Sequence, residues 1–599
     1  MDATAATHPD VDARLQSART LCELFQATAA ERADEIALRT PGGAQELTWR
    51  QYAQHVELIA SGLHGLGVRR GDAVALMMFN RPEFALVDVA AMHLGATPFS
   101  VYNTFPAEVI GHLMTNAGAR VAICEPEFAE RLLAAPGIEH VVCVEPHVPG
   151  TISLEELQAR PSEDYDHEAA WRALDGEDIL TLIYTSGTTG FPKGVEITHD
   201  NMLAELRATA TALPTKAGGR TVSYLPSAHI ADRWATLYLG YTHGLTITYC
   251  ADATKMAATV VEVHPTAWGG VPRVFEKMRA GLQAALAADP DEARRAAVAG
   301  AIDVALQVVR LQQAGEPVPA ELAAAHAQAD ERVLAPLRAR LGLDQCEWVV
   351  VGAAPSPRDL LEFFAALGLT PLEVWGMSEL TCVTTSNTTD AVRLGTVGKP
   401  IEGVEVAIAD DGEVIVRGPT VMRGYRGEPE KTAETIDAER WLHTGDIGEF
   451  DQDGYLRIVD RKKELIINAA GKNMSPANIE SALKSAGGLI GQAVCVGDRR
   501  PYNVALIVLD PDAASTWARE RGMQGVGPAQ LTEHEALRAE VAASVERANE
   551  QLSRVEQIKR FALLPSEWMP GGDELTPTMK LKRKPIAEKY AEQIDALYG

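Results

Sequence analysis

Short apolar runs rich in β-branched residues alternate with helical patterns along most of the chain. Runs at 73–78, 121–124 and 140–144 have strand character, and residues 52–66 repeat apolar side chains at helical spacing. Similar alternation continues as far as residue 351. Strands separated by helices favour a parallel sheet covered by helices. The sequence therefore predicts an α/β fold.

Two segments depart from this alternation. Residues 276–340 are rich in alanine, leucine and arginine with almost no strand signal, so two long helices separated by a turn at 315–319 are predicted there. Residues 381–459 carry short strands joined by Asp-Gly turns, which predicts a small β-rich unit of hairpins. A further α/β pattern begins after Asp460, where we place a hinge.

These patterns predict two domains. Residues 1–459 would form a large N-terminal domain made of α/β subdomains, the helical insertion and a small β-barrel-like subdomain. Residues 460–599 would form a smaller, mobile α+β domain. A chain of 599 residues can bury several hydrophobic cores without a disulfide or a metal to stabilise them.

The charge balance narrows the range of partners. Lysine and arginine number 55 against 82 aspartates and glutamates, a formal net charge of −27. Such an acidic chain is not expected to bind nucleic acid, whose phosphates attract basic surfaces. No apolar run approaches the ~18 residues of a membrane span, so we expect at most peripheral membrane contact. Whether the protein forms an oligomer is left open.

Cysteine usage and the first residues indicate the compartment. The seven cysteines are scattered and form no Cys-x-x-Cys pair, so neither a zinc site nor a disulfide framework is expected. The first residues are polar and acidic, unlike a secretory signal peptide. We therefore expect a cytoplasmic protein with reduced thiols.

A glycine- and hydroxyl-rich loop at 184–194 carries the first functional signal. An apolar strand at 179–184 leads into it, and a helical pattern begins near His199. Its glycines let backbone N–H groups face a ligand, its hydroxyls donate hydrogen bonds, and its lysine adds a positive charge. This chemistry suits a polyphosphate, although Walker A spacing is absent, and a Ser/Thr/Gly-rich surface turn is the alternative. The candidate phosphate-binding residues are Thr185, Ser186, Gly187, Thr188, Thr189, Gly190 and Lys193.

This loop resembles the phosphate-binding motif of the adenylate-forming enzymes, the family of acyl-CoA synthetases, firefly luciferase and peptide-synthetase adenylation domains. Segments similar to the family's other motifs follow in the family's order over nearly the whole chain. Residues 374–379 are similar to its aromatic-Gly-x-Thr-Glu segment, with Ser378 in place of threonine. The resemblance implies that Trp375 packs on adenine and that Glu379, together with the hydroxyl of Thr185, binds Mg²⁺.

Further motifs imply the rest of a nucleotide site. Residues 352–354 resemble the small-residue strand end that lets adenine and the acyl group approach the backbone. Asp446, in Thr-Gly-Asp, resembles the carboxylate that binds both ribose hydroxyls, and Arg461 resembles the arginine that contacts ribose and phosphate. The residues assigned in this way to the nucleotide are Gly352, Ala353, Ala354, Trp375, Gly376, Met377, Ser378, Asp446 and Arg461.

The C-terminal motifs imply a moving domain. Asp460 resembles the family's hinge residue. Residues 470–480 resemble the segment that lines the tunnel for the coenzyme A thiol after the small domain rotates. Residues 575–583 look like the loop with the catalytic lysine, which we assign to Lys580. The residues assigned to the thiol tunnel are Gly471, Lys472 and Asn473.

Other stretches are similar to the long-chain fatty acyl-CoA synthetase branch of the family. Residues 224–233 resemble its Leu-Pro-Leu-Ala-His…Glu-Arg segment, with Ser227 and Asp232 in place of leucine and glutamate. Residues 271–278 are also similar in sequence to a segment of that branch. The resemblance implies that His229 acts at the substrate carboxylate and the adenylate, and a buried structural histidine is the alternative.

The resemblance implies an AMP-forming long-chain fatty acid–CoA ligase. A fatty acid would react with ATP to give an acyl-adenylate and pyrophosphate, and coenzyme A would then displace AMP. Lys580, Glu379 and His229 are the candidate catalytic residues, with ATP, Mg²⁺ and coenzyme A as cofactor and co-substrates. The alternatives are an acyl-AMP ligase that loads a separate carrier protein, a synthetase for another hydrophobic acid, and an inactive nucleotide-binding relative. Trp234 and Trp268 would either line the acyl tunnel or serve as core residues.

Overall fold

The structure is a computed structural model, and it describes residues 9–185, 191–467, 473–523, 525–569, 571–576 and 579–599. Its strands in chain order are β1 (Ile36–Arg39), β2 (Glu46–Thr48), β3 (Ala73–Met77), β4 (Thr97–Ser100), β5 (Val121–Cys124), β6 (His140–Cys143), β7 (Ile152–Ser153), β8 (Ile179–Thr185), β9 (Lys193–Thr198), β10 (Arg220–Ser223), β11 (Thr246–Tyr249), β12 (Ala267–Gly270), β13 (Trp348–Val351), β14 (Pro371–Trp375), β15 (Thr385–Ser386), β16 (Lys399–Pro400), β17 (Glu405–Ile408), β18 (Glu413–Arg417), β19 (Gly424–Tyr425), β20 (Leu442–Phe450), β21 (Leu456–Arg461), β22 (Ile466–Ile467), β23 (Asn473–Met474), β24 (Ile490–Val496), β25 (Asn503–Leu509) and β26 (Ile558–Leu564).

The α-helices of the described residues are α1 (Pro9–Ser17), α2 (Leu21–Glu31), α3 (Trp49–Gly65), α4 (Pro82–His93), α5 (Ala107–Ala117), α6 (Pro126–Leu133), α7 (Leu154–Gln158), α8 (His167–Arg172), α9 (His199–Ala212), α10 (Ile230–Asp232), α11 (Leu239–His243), α12 (Met256–Val263), α13 (Pro272–Ala287), α14 (Glu292–Gln313), α15 (Ala320–Ala329), α16 (Ala335–Arg340), α17 (Arg358–Ala366), α18 (Pro429–Thr435), α19 (Pro476–Ala486), α20 (Pro511–Glu520), α21 (Pro528–Leu531), α22 (Glu535–Gln551), α23 (Arg583–Lys589) and α24 (Ala591–Ala596). Short 3₁₀ turns lie at Pro41–Gly43, Ala253–Lys255 and Ser378–Leu380, and π-helical turns at Arg233–Tyr238 and Asp330–Leu334.

An eight-stranded sheet in the order β19-β9-β8-β4-β3-β5-β6-β7 organises the N-terminal part of the chain. The strands from β8 to β7 pair in parallel, and β9 and β19 add an antiparallel edge. Every residue of β3 is buried, because helices such as α4 and α6 pack against this sheet, as parallel sheets require. The predicted α/β fold is confirmed.

A second sheet, β12-β13-β14-β15-β16, positions two of the predicted nucleotide segments. Strands β12, β13 and β14 are parallel, and the carboxyl ends of β13 and β14 lead into residues 352–354 and 376–379. Ligands of open α/β sheets bind beyond such carboxyl ends. The antiparallel sheet β17-β18-β20-β21 carries Asp446 on β20 opposite Arg461 on β21.

The residues from Ile466 onward form two hydrophobic clusters of their own around the sheet β24-β25-β26. Helices α19 and α22 pack against each other, and α19 also packs on β24. The chain therefore has a large α/β part followed by a smaller α+β part, as predicted. The assignment of the boundary to residues 459 and 460 stays a prediction.

The prediction of two long helices at 276–340 is wrong before the turn, where two helices take the place of one. It is confirmed after the turn, where α15, a π-helical turn and α16 run without a gap from Ala320 to Arg340. Helix α13 begins earlier, at Pro272, and α14, α15 and α16 follow it. Helix α14 begins after Asp291, whose side chain accepts a hydrogen bond from the Arg294 N–H (3.1 Å). The Asp-Pro-Asp sequence at 289–291 is a turn signal that the prediction overlooked. The predicted break at 315–319 is confirmed, because α14 ends at Gln313 and α15 begins at Ala320.

The strands of 381–459 do not form a single unit. The hairpins at the two predicted Asp-Gly turns, 411–412 and 453–454, are present as the pairs β17–β18 and β20–β21. However, β15 and β16 extend the second sheet, and β19 joins the eight-stranded sheet. Turn residues report only the pairing of neighbouring strands, so they gave no signal for the pairing of β19 with the distant β9.

Candidate active site

The predicted phosphate loop connects two antiparallel strands. Thr185 at the end of β8 pairs with Lys193 at the start of β9. The helix expected near His199 is confirmed as α9, but the prediction missed β9, whose buried Val195 and Ile197 alternate along the strand. The loop residues Ser186, Gly187, Thr188, Thr189 and Gly190 lie outside the described residues, so their role stays a prediction.

The candidate ribose carboxylate, Asp446, is buried and held on both oxygens. The Trp375 indole N–H donates to Oδ2 (2.8 Å), and the Arg461 guanidinium contacts Oδ1 (2.7 Å). Burial raises the pKa of Asp446, while Arg461 and Trp375 lower it. A carboxylate has about four lone-pair sites, so Asp446 keeps acceptor capacity for hydroxyl groups. The sequence placed Trp375 at adenine but gave no sign of its contact with Asp446.

Two tight turns lie where β13 and β14 end. A Cβ atom at Gly376 would lie 1.8 Å from the Cys382 carbonyl oxygen, so only glycine fits there. At Gly352 an added Cβ would lie 2.9 Å from a methyl group of Val374. Ala353 has a φ of +67°, a left-handed conformation that costs a non-glycine residue energy and is found at functional sites. The glycines let neighbouring parts of the chain pack closely, and Ala354, Met377 and Ser378 belong to the same two turns. The approach of a ligand to this backbone stays a prediction.

The candidate Mg²⁺ ligand, Glu379, is buried in the 3₁₀ turn that follows β14. The hydroxyl of Tyr425 donates to its Oε1 (2.9 Å), and the backbone N–H of Met422 donates to its carbonyl oxygen (2.9 Å). The Lys193 ammonium lies 4.0 Å from the centre of the Tyr425 ring. Sequence reasoning missed Tyr425, because a single tyrosine after glycine in a β-rich segment carries no charge pattern or motif.

The neighbourhood of His229 fixes its tautomer. Its Nδ1 accepts a hydrogen bond from the backbone N–H of Ala231 (3.1 Å) at the start of α10. Burial, and then the charge of Lys580, lower the pKa of His229 to about 4. The imidazole is therefore neutral near pH 7, with its proton on Nε2, and it can donate one hydrogen bond from that atom.

The two residues that depart from the long-chain branch contact each other. The hydroxyl of Ser227 donates to Asp232 Oδ2 (3.1 Å), and Ser223 donates to the same carboxyl group. Burial raises the pKa of Asp232 to about 7, against the effect of both serines. Next to it, the fully buried Arg233 pairs with Asp88. The departures at 227 and 232 thus form one hydrogen-bonded unit beneath the His229 turn.

Lys580 reaches the nucleotide site from the C-terminal part of the chain. Its backbone N–H donates to the Thr576 hydroxyl (3.0 Å) in a short hairpin closed by Leu575 and Leu581. Lys580 is exposed, yet the surrounding protein lowers its pKa, as does the charge of Arg461. The carboxylates of Asp446 and Glu379 act in the opposite direction. The structure therefore brings Lys580 together with the predicted nucleotide residues.

Asp460, the predicted hinge residue, ties the last strand of the large part to α19. Its Oδ2 accepts hydrogen bonds from the Ser475 hydroxyl (2.6 Å) and the Ala477 N–H (3.1 Å). Its Oδ1 accepts from the Arg461 N–H (2.7 Å). Sequence reasoning missed Ser475. Of the predicted thiol-tunnel residues, Asn473 begins β23, whereas Gly471 and Lys472 lie outside the described residues.

A small cavity of about 20 Å³, room for little more than one water molecule, lies beside the His229 turn. Trp268 and Trp348 line it, together with Tyr224 and Asp232. Trp234 is buried against Trp348, with ring centres 6.5 Å apart, but does not line the cavity. The two predicted tunnel tryptophans therefore occupy different environments.

Comparison with known proteins assigns the chain to a family. The model of the AMP-binding enzyme family matches residues 25–426, and that of the AMP-binding enzyme C-terminal domain matches residues 463–599. The chain therefore belongs to the AMP-binding enzyme family. The assignment of Trp375 and Asp446 to the nucleotide stays a prediction. Among the described residues, no helix is long and apolar enough to cross a membrane.

Individual relatives narrow the comparison. The chain is 53% identical over 452 residues to a Mycobacterium tuberculosis protein assigned as the fatty-acid–CoA ligase fadD11. The alignment covers 75% of this chain and 79% of that protein. It is 35% identical over 562 residues to the long-chain-fatty-acid–CoA ligase FadD15 of Mycobacterium bovis, 92% of each chain. The crystal structure of the anthranilate CoA ligase AuaEII with anthranoyl-AMP matches with a TM-score of 0.71 at 21% identity, over 95% of this chain and 97% of that one. This last similarity establishes a common fold.

Proposed function

We propose that this chain is an AMP-forming ligase that converts long-chain fatty acids to acyl-CoA. The relatives named as fatty-acid–CoA ligases support the substrate class, in one case over 92% of both chains. The observation that carries the proposal is the position of Lys580, whose charge acts on Glu379 and Asp446 in the nucleotide site. All seven cysteines are free thiols, which suits the cytoplasm, where we place the protein.

The first step joins the acid to the nucleotide. A carboxylate oxygen of the fatty acid attacks the α-phosphorus of ATP, and the bond to the bridging oxygen of pyrophosphate breaks. Negative charge grows on that oxygen, and the ammonium groups of Lys193 and Lys580 stabilise it. His229 donates a hydrogen bond from Nε2 to an oxygen of the acid, and its neutral state avoids repulsion with Lys580. Asp446 accepts hydrogen bonds from the ribose hydroxyls.

Magnesium would be held by Glu379 and the hydroxyl of Thr185. The fit of Glu379 is favourable: Tyr425 bonds to Oε1, and no described residue forms a hydrogen bond to Oε2. Mg²⁺ typically takes one or two protein oxygen ligands together with substrate phosphates and water, and Glu379 with the Thr185 hydroxyl matches that pattern. When bound, the ion neutralises charge on the departing pyrophosphate.

The second step needs a different arrangement of the same residues. We propose that residues 460–599 form a mobile domain that rotates about Asp460 after adenylation. Rotation removes Lys580 and brings residues 471–473 toward the adenylate, where the coenzyme A thiolate attacks the acyl carbonyl and AMP leaves. The contacts of Asp460 with Ser475 and Ala477 would have to change during this motion.

One assay separates the candidate functions. Purified protein is incubated with ATP, Mg²⁺ and fatty acids of graded length, with and without coenzyme A, and AMP and acyl-thioester are measured. We expect sustained AMP release and acyl-CoA only with coenzyme A present. Accumulation of acyl-adenylate that coenzyme A does not consume would instead support an acyl-AMP ligase for a carrier protein. Absence of both products with every acid would contradict the proposal.

A further inference from the structure

The pairing of β19 with β9 places Tyr425 over the predicted phosphate loop. Tyr425 lies opposite Val195 in this antiparallel pair. Lys193 precedes Val195 by two residues, so it shares the same face and lies diagonal to Tyr425, within reach of long side chains. The register thus brings Tyr425 beside Lys193, which lies more than two hundred residues earlier in the chain.

Tyr425 touches two oppositely charged groups through different parts of its side chain. Its hydroxyl donates to Glu379 Oε1 (2.9 Å). Its ring face attracts the Lys193 ammonium, 4.0 Å from the ring centre, in a cation–π contact. The tyrosine is only 6% exposed, and Lys193 is half-buried.

The backbone around Tyr425 is itself firmly held. The Tyr425 N–H donates to the Thr432 hydroxyl (2.9 Å), and the Arg426 N–H donates to the Gly194 carbonyl (2.8 Å). The Met422 N–H binds the Glu379 carbonyl oxygen (2.9 Å). A side chain anchored in this way can fix the geometry of its partners.

We propose that Tyr425 is a positioning residue for adenylation, which orients Glu379 for the metal and Lys193 for the phosphates. The hydroxyl fixes one carboxylate oxygen, so that the other faces the metal in a single orientation. The ring holds the ammonium without neutralising it, because an aromatic face has no formal charge. This inference rests on the proposed ATP-dependent function and concerns how its metal and phosphate sites are prepared.

Two substitutions separate the roles of the hydroxyl and the ring. Tyr425→Phe removes the bond to Glu379 and keeps the ring, and Tyr425→Leu removes both. Binding of Mn²⁺, as a probe for Mg²⁺, is measured by electron paramagnetic resonance with a non-hydrolysable α,β-methylene ATP. Tyr425→Phe should weaken metal binding by ~10-fold or more, as expected for a hydrogen bond to a charged group. Tyr425→Leu should in addition weaken metal-free binding of the ATP analogue by ~2- to 5-fold.

A matched control and a second readout exclude a general structural effect. Tyr52→Phe removes another buried hydroxyl, which donates to the Ala85 carbonyl (3.3 Å) away from the site, and it should leave metal binding unchanged. Tyr425→Phe should keep its thermal midpoint, raise the KM for Mg²⁺, and leave thioester formation from preformed acyl-adenylate intact. Metal binding within ~2-fold of the wild type, or equal losses in all measurements, would overturn the inference. Failure of the wild type to adenylate any fatty acid would contradict the proposed function. The metal-binding comparison would still test whether Tyr425 positions Glu379 and Lys193.

Discussion

At the residue scale, the site depends on contacts that set the state of each side chain before a ligand arrives. Asp446 is oriented by Trp375 and Arg461, and His229 by the backbone of Ala231. Such fixed donors and acceptors stabilise developing charge without reorganising during the reaction. The motif residues therefore act through neighbours that the motifs do not contain.

The pH dependence of His229 follows from its lowered pKa. The folded protein protonates it only near pH 4, whereas the ordinary value is 6.5. Between these values the unfolded chain binds more protons, so the contribution of neutral His229 to stability is complete above pH 6.5 and is lost as the pH falls toward 4. Urea unfolding of wild type and His229→Asn, which can still cap α10, should show the difference shifting in favour of the variant as the pH falls. A constant difference would contradict the lowered pKa.

The two tryptophans near the cavity should respond differently to truncation. Trp268→Ala and Trp234→Ala both remove buried rings, and each should lower the free energy of unfolding by ~3–5 kcal/mol. Of these two tryptophans, Trp268 lines the cavity and Trp234 does not, so Trp268→Ala alone should shift the preference toward longer fatty acids. Chain-length profiles measured beside thermal melts test this expectation. An equal shift for Trp234→Ala would show that the cavity does not receive the acyl chain.

At the scale of elements, local patterns identified most strands and helices but not their distant partners. Apolar runs predicted β3 and β5 within one residue, since these strands are buried on both faces. The hairpins at Asp-Gly turns were also predictable. The joining of β19 to β9 was not, because two residues of strand carry too little pattern, and Tyr425 was missed with it. Motif order indicated the residues of the candidate nucleotide site, whereas the contacts of Trp375 and Asp460 depend on tertiary packing that the motifs do not specify.

Replacing glycine by alanine should have opposite effects on stability in a tight turn and in a helix. Gly376→Ala would place a Cβ 1.8 Å from the Cys382 carbonyl oxygen, so the turn after β14 must distort. We expect activity to fall by ~100-fold or more and stability by ~2 kcal/mol or more. Gly300→Ala in α14 meets no atom within 4 Å and should stabilise the protein by ~0.5–1 kcal/mol with activity unchanged. Kinetics and urea unfolding of both variants check the contrast, and a fully active Gly376→Ala would contradict the packing at this turn.

At the scale of the whole molecule, we expect Lys580 to be needed for adenylation and not for thioester formation. Lys580→Ala removes a positive charge from the adenylation site, and the rate of that step should fall by ~100-fold or more. Thioester formation from preformed acyl-adenylate should be nearly unchanged, because the proposed rotation has removed the lysine by then. Each half-reaction is measured separately, with circular dichroism to compare folding. Equal loss of both half-reactions would contradict rotation of the C-terminal part.

An ion pair between α13 and α20 joins the two parts of the molecule in this arrangement. Arg273 on α13 pairs with Asp510, and both are largely buried, with 28% and 12% of their side chains exposed. Asp510 also caps α20 through the Ala513 N–H (2.9 Å). One turn further along α13, Lys277 faces Asp512 at 3.6 Å, with 62% and 82% exposed. The two pairs span the same interface but differ in burial.

Arg273 should therefore stabilise the arrangement in which Lys580 reaches the nucleotide, and Lys277 should not. Arg273→Gln leaves the Asp510 cap of α20 in place but removes the charge–charge contact, so adenylation should slow by ~5-fold or more, in the range of a typical coupling energy. Thioester formation from preformed acyl-adenylate should be unchanged or faster, because the ion pair no longer favours the adenylation arrangement over the rotated one. Lys277→Gln is the matched control and should change neither step, because exposed pairs contribute little. If both variants slow adenylation equally, or neither does, the buried pair does not set the position of the C-terminal part.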